Sequence, residues 1–194
     1  MKKIKSQPLV FDIETKNTFR EVGAYEPTLL DISMVGIYDY ATNEYCSFLE
    51  NEFEKLWPFI EKASCLIGYN SNHFDIPLLN KYYSGDLLKM HSHDLLAIIR
   101  DTLGKSMKLD DVANATLGYG KTGDGLKAID YYKEGKIDKL REYCLSDVKI
   151  TKEIYDHGLL NKFIKYTTPL GIKELKINFK PNFPKQKINF TLPI

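Results

Sequence analysis

Along the first strand-like segment, PLVFDIET, the residues Leu9, Phe11 and Ile13 alternate with Val10, Asp12 and Glu14. Successive side chains of a strand point to opposite faces, so one face is wholly apolar and the other carries two carboxylates. LLDISMVGIYDY and EYCSFLE predict two further strands with a turn at Ala41 to Asn43, and this run of neighbouring strands implies an antiparallel portion of a mixed sheet. The period then changes. Phe53, Leu56, Trp57 and Ile60 recur at helical spacing, and CLIGYN is a short buried strand. His73 to Tyr83 predicts a helix with Pro77 in its first turn, where the missing N–H matters little. Asp94 to Arg100 and Leu109 to Leu117 predict two more helices, and a glycine-rich loop, Gly118 to Gly125, precedes the longest helical signal, Ile137 to about His157. KFIKYTT and KELKINF flank a turn at Pro169 to Gly171 and predict a β-hairpin. Strands first, then alternation, then a long helix describe an α/β sandwich with a mixed sheet.

Composition narrows the picture. With 194 residues, 43% of them hydrophobic, the chain can bury one substantial core and is too short for two full-sized domains. The expected division is a main domain over 1–160, with a hairpin and basic tail over 161–194 packed on it. The tail, KPNFPKQKINFTLPI, holds three prolines, three lysines and no acid, as an extended arm would. Lysine and arginine number 27 against 26 aspartates and glutamates, so there is no basic excess of the kind passive nucleic-acid binders carry. A polyanion would have to be met locally, by metal ions or a small basic patch. Cys46, Cys65 and Cys144 are odd in number and widely spaced, which argues against a disulfide framework or a zinc site. They read as reduced core thiols of a cytoplasmic protein, and no stretch suits a secretory leader or a membrane span.

The chemistry lies in acids on apolar backgrounds. Asp12 and Glu14 share a strand face, where neighbouring like charges resist joint ionisation and burial demands a cation or strong hydrogen bonds. A strand end reaching solvent is the plainer explanation of Asp-x-Glu taken alone. On the long helix, Leu140, Tyr143, Cys144, Asp147, Thr151 and Ile154 follow each other at steps of three or four, which puts Asp147 at a buried stripe beside Tyr143. In GYNSNHFDIPLL, Asp75 begins a helix, which it could merely cap, and Asn70 could merely close a turn. Four acids from a strand and two helices, taken together, are what a two-metal site requires.

FDIET, GYNSNHFD and YCLSD resemble the three exonuclease motifs of the proofreading domain of family B DNA polymerases and of the broader DEDD exonucleases, within the ribonuclease-H-like superfamily. Their order and separation fit as well, and LDDVANATLG resembles the helix after the second motif, so the resemblance covers at least Leu9 to Tyr155. It implies a ribonuclease-H-like fold with a mixed five-stranded sheet flanked by helices. It also implies that Asp12, Glu14, Asp75 and Asp147 hold two divalent ions, Mg²⁺ or Mn²⁺. The Tyr-x-x-x-Asp form of the third motif implies the tyrosine subclass, in which Tyr143 orients the attacking water. The chain resembles stand-alone members of this group. The activity implied is 3′→5′ hydrolysis of single-stranded nucleic acid with a free 3′ end, DNA ahead of RNA, with a helicase or polymerase as a conceivable partner. Asn70, His73, Phe74 and Lys121 are candidate substrate contacts. The rival functions are a non-catalytic nucleic-acid-binding or editing module and a structure-specific endonuclease on the same fold.

Two other patterns carry less. ATLGYGKT and Gly118, Gly120, Gly123 imitate nucleotide-binding loops, but the amphipathic helix from Leu109 leads into them, whereas both motifs need strand, loop, then helix. His91, His93 and Asp94 suggest a metal cluster without a nameable third and fourth ligand, and a strand edge before a helix cap explains them better.

Overall fold

A computed structural model describes residues 7–120 and 126–180 of the chain. Its main sheet contains β1 (Leu9–Thr15), β2 (Ile32–Asp39), β3 (Glu44–Leu49), β4 (Leu66–Gly68) and β5 (Ser92–Asp94), in the order β3-β2-β1-β4-β5. The first three strands form an antiparallel meander, while β1 pairs parallel with β4 and β4 with β5. The expected mixed five-stranded sheet is therefore present, with β1 at its centre.

The alternation along β1 sorts the layers. Leu9, Phe11 and Ile13 enter a core shared with Phe53, Leu56 and Ile60 of α2 (Phe53–Lys62) and Ile76, Leu78 and Leu79 of α3 (Asp75–Asn80). Val10 points the other way, into a core built with α4 (Leu95–Leu103), α5 (Leu109–Leu117) and α7 (Ile137–Asn161). Burying both faces of the central strand fixes its register, since a slip of one residue would turn every apolar side chain over. A two-stranded hairpin, β6 (Phe163–Thr168) and β7 (Gly171–Lys176), follows α7. Ile164, Leu175, Ile177 and Phe179 join the α5/α7 core. The tail beyond residue 180 lies outside the described residues.

Element limits differ from expectation for local reasons. The second strand begins only at Ile32, because Pro27–Leu29 make a 3₁₀ turn. The third helix spans Asp75–Asn80 rather than His73 to Tyr83, since the chain first turns through Asn70, whose φ of 67° is left-handed. The long helix continues past His157 to Asn161, where Lys162 at φ 64° ends it. In the hairpin the ladder closes at Lys176, and Ile177 and Phe179 leave it to bury instead. Two helices went unpredicted. One is α1 (Phe19–Val22), started by a Thr18–Glu21 capping box and stopped at Gly23; the other is α6 (Leu126–Lys133), cut off from α7 by Gly135 at φ 69°. Among the described residues no helix is long and apolar enough to cross a membrane.

Helix α7 crosses β2 at Gly36. A methyl group there would meet Cys144 Sγ at 2.8 Å and Val148 Cγ2 at 2.9 Å, closer than real side chains approach. The missing side chain lets the helix settle onto the sheet directly beside Asp12, the partner of Gly36 in the β1/β2 ladder. Both obstructing groups are buried and cannot swing away. Gly36→Ala is accordingly expected to destabilise the protein by about 1–3 kcal/mol through overpacking. A urea unfolding curve checks this, and an unchanged midpoint would mean that the helix is not seated so tightly.

Candidate active site

The expected acids and tyrosine arrive from three elements. Asp12 and Glu14 project from β1 opposite Gly36 and Met34, on the sheet face covered by α7. Asp75 is the first residue of α3, and Tyr143 and Asp147 lie one turn apart on α7. With Ile13, Thr15, Tyr69, Asn70 and Phe74 they line one cavity of about 240 Å³. Glu14, Asp75, Asp147 and Tyr143 are each 7% exposed or less, and Asp12 is half-buried.

Such burial leaves the site electrostatically strained. The Asp75 carboxyl is pushed well above the usual carboxylate range, first by loss of solvent and next by the charge of Asp12. Backbone amides of Asp75 itself and of Ile13 pull the other way without offsetting the shift. Behind the acids, Cys144 donates weakly to the Asp12 carbonyl oxygen at 3.8 Å. Its thiol is held well above its ordinary value by burial and then by Glu14, Asp12 and Asp147. Ligand atoms of Asp12, Glu14 and Cys144 lie within 4.8 Å of one another, close enough to share an ion.

The loop carrying Asn70 owes its shape to Asp94, which does more than cap a helix. Asp94 accepts hydrogen bonds from the α4 amides of Leu96 (3.0 Å) and Ala97 (3.2 Å). It also accepts from the amides of Asn70 (2.8 Å) and Asn72 (3.0 Å). One buried carboxylate thus ties β5, α4 and the turn before α3 together, and four amides offset the penalty of burying it. Asn70 can hold its left-handed backbone because an asparagine side chain tolerates that region. Tyr69 is fixed from the other side, its hydroxyl donating to the Met107 carbonyl at 2.8 Å.

Not every candidate joins the cavity. Phe74 lines it, whereas His73 is exposed and does not. Lys121 lies outside the described residues. Tyr69 and Thr15 line the cavity although nothing in their spacing singled them out. His93 is half-buried, edge-on against Tyr155 and Phe179 with ring centres 5.7 and 6.1 Å away, and desolvation lowers its pKa. With Asp94 engaged by amides, the His91, His93, Asp94 pattern is a strand and a cap, as expected. The glycine-rich segment begins at the C-terminus of α5, with Gly118 at φ 83°, the reverse of the order a phosphate-binding loop needs.

A family model described as RNase_H superfamily matches residues 9–159. No curated protein compared with the chain matches it significantly. Among solved structures, the family B DNA polymerase from the hyperthermophilic archaeon Pyrobaculum calidifontis superposes with a TM-score of 0.60 at 23% identity, covering 78% of this chain and 24% of that one. Trypanosoma brucei RNase D superposes with a TM-score of 0.57 at 13% identity, covering 79% of this chain and 57% of that one. The chain thus spans about a quarter of the polymerase and just over half of the RNase D. At such identities the two structures attest the fold alone, and the match from the first residue of β1 nearly to the end of α7 makes this chain a member of the RNase_H superfamily.

Proposed function

We propose that this protein is a two-metal-ion 3′→5′ exonuclease of the tyrosine DEDD subclass, acting on single-stranded nucleic acid, DNA ahead of RNA. The observation that carries the reading is the convergence of Asp12, Glu14, Asp75, Asp147 and Tyr143 on one small cavity. The donor set fits hard divalent cations. Several carboxylates crowd a buried space, and Asp75 is so disfavoured as an anion that a cation there would lower the free energy of the site. Asp12, Glu14, Asp75 and Asp147 would hold Mg²⁺ or Mn²⁺. Bound there, such ions supply activation of water and stabilisation of charge on the phosphoryl oxygens.

The remaining roles fall to the chain's own groups. Tyr143 would orient a water for in-line attack through its hydroxyl. Attack at the terminal phosphodiester breaks the P–O3′ bond, leaving a 3′ hydroxyl on the shortened strand and the phosphate on a released nucleoside 5′-monophosphate. Asn70 and Phe74 would grip the last nucleotide, Phe74 by stacking. His73 on the surface nearby and Lys121 complete the proposed substrate contacts. The near-neutral composition supports a few single-stranded nucleotides as the ligand rather than duplex held by charge.

A 5′-labelled oligonucleotide incubated with Mg²⁺ or Mn²⁺ should yield a descending ladder, and a blocked 3′ end should protect it. Cleavage of a covalently closed single-stranded circle would favour an endonuclease instead. Tyr143→Phe should lower the single-turnover rate by more than about tenfold with little change in metal affinity, because the ring still packs but the hydroxyl is gone. An unchanged rate would reduce the phenol to a packing role.

Asp75 gives a prediction with a sign. Its folded-state pKa is raised, so the native metal-free protein binds the proton more tightly than the unfolded chain does. The stability conferred by the neutral form is full below the unfolded value, about 4, and is lost as pH rises towards the folded value. In chelator at neutral pH, Asp75→Asn should therefore melt higher, by about 2–4 °C for each kcal/mol relieved, and its melting temperature should lose that pH dependence. The same variant should be inactive. A lower metal-free melting temperature would mean that Asp75 is stabilised by groups other than a cation.

A further inference from the structure

Beside the carboxylate cavity lies a second one, of about 440 Å³, lined chiefly by Lys16, Ser33, Leu49, Glu50, Asn51 and Tyr132. It begins one residue beyond Thr15, which lines the first cavity. A flaw in the sheet helps to build it. In the β1/β2 ladder Glu14 faces Met34 while Thr15 faces Ile32, so Ser33 is an extra residue with no cross-strand partner. A bulge of this kind re-aims a side chain. Ser33 is 1% exposed, yet its hydroxyl has no hydrogen-bond partner among the described residues. The bulge thus sets Ser33 into the cavity wall while its hydroxyl stays shielded from solvent.

The other walls specify the ligand. Lys16 and Glu50 form an ion pair, and the Lys16 ammonium sits 5.6 Å from the centre of the Tyr132 ring. The single cation is matched by a carboxylate, so these walls offer no net charge to a phosphate. They offer an aromatic face for stacking and, side by side, a charged donor and a charged acceptor. Leu49 adds an apolar wall and Asn51 an amide. The volume lies in the range of small-molecule sites, about 300–1,000 Å³.

We propose that this cavity binds a nucleobase, guanine in preference to the others. Guanine presents an acceptor, O6, beside two donors, N1–H and N2–H. Lys16 can donate to the first, and a free carboxylate edge of Glu50 can accept from the pair, while the ring stacks on Tyr132. The choice of a nucleobase rests on the nuclease reading of the adjoining cavity. Its source is either a base of the bound strand turned out of the stack or the base of a free nucleotide.

Titration of the intact protein with guanosine, adenosine, cytidine and uridine 5′-monophosphates, in chelator, tests the site without any need for catalysis. Guanosine monophosphate should bind saturably and tightest. Tyr132→Ala and Glu50→Gln should each weaken it by about tenfold, as expected for a lost stacking contact or charge-assisted hydrogen bond. Leu160→Ala, at an exposed residue that lines neither cavity, should leave the metal-free affinity unchanged. Asn51 and Glu50 lie towards the surface, so Asn51→Ala serves as a second variant that keeps the fold. A second arm measures cleavage of oligonucleotides carrying a base-less nucleotide at each of the last three positions. Wild type should slow at one position, and Tyr132→Ala should treat intact and base-less strands alike.

Monophosphate binding without a strand effect assigns the site to free nucleotide, and a strand effect without monophosphate binding assigns it to the substrate. Absence of both, or monophosphate binding undiminished in Tyr132→Ala, overturns the proposal. A wild type that binds guanosine monophosphate yet cuts nothing would instead count against the nuclease reading alone.

Discussion

The seating of the long helix on the central strands is the contact on which the rest depends. At Gly36 the sheet has no side chain, and Cys144 and Val148 occupy the space one would fill. Because Gly36 is the ladder partner of Asp12, the point of closest approach is also the point where Asp147 and Tyr143 come over the β1 carboxylates. A helix held off by one methyl group would keep its apolar stripe but widen the space between the acids. Packing and chemistry are thus joined at a single backbone position.

That approach concentrates negative charge in a poorly solvated space, and the neighbouring structure shows two ways of dealing with a buried acid. Asp94 is satisfied by four backbone amides and needs nothing further. Asp75 has two amides working for it, but burial and the charge of Asp12 outweigh them. The contrast separates an acid that the backbone fully satisfies from one that it leaves under-stabilised as an anion. Both act on one loop, since the turn that Asp94 shapes carries Asn70 and leads into Asp75.

Much of this was legible in the chain because the relevant signals are periodic. Alternation along β1 placed Asp12 and Glu14 on the α7 face, and the step of four between Tyr143 and Asp147 placed both on one stripe. Signals without a period were harder. The Thr18–Glu21 capping box was present in the sequence but opens a helix of only four residues, too short to repeat an apolar spacing. The Ser33 bulge depends on cross-strand register, which no local pattern reveals. Asp94 was visible as a cap, but its bonds to Asn70 and Asn72 span more than twenty residues and appear only once β4 and β5 are paired. His73 shows the converse, adjacent in sequence to a cavity residue yet facing solvent.

The central claim is that the four carboxylates form one site for two cations, and counting bound metal tests it most directly. Equilibrium dialysis against Mn²⁺, with a single-stranded oligonucleotide whose 3′-terminal linkage resists hydrolysis, should give two ions per chain for the wild type. Asp147→Ala should give fewer under the same conditions. A wild-type count of zero, or a count of two that survives loss of Asp147, would contradict it.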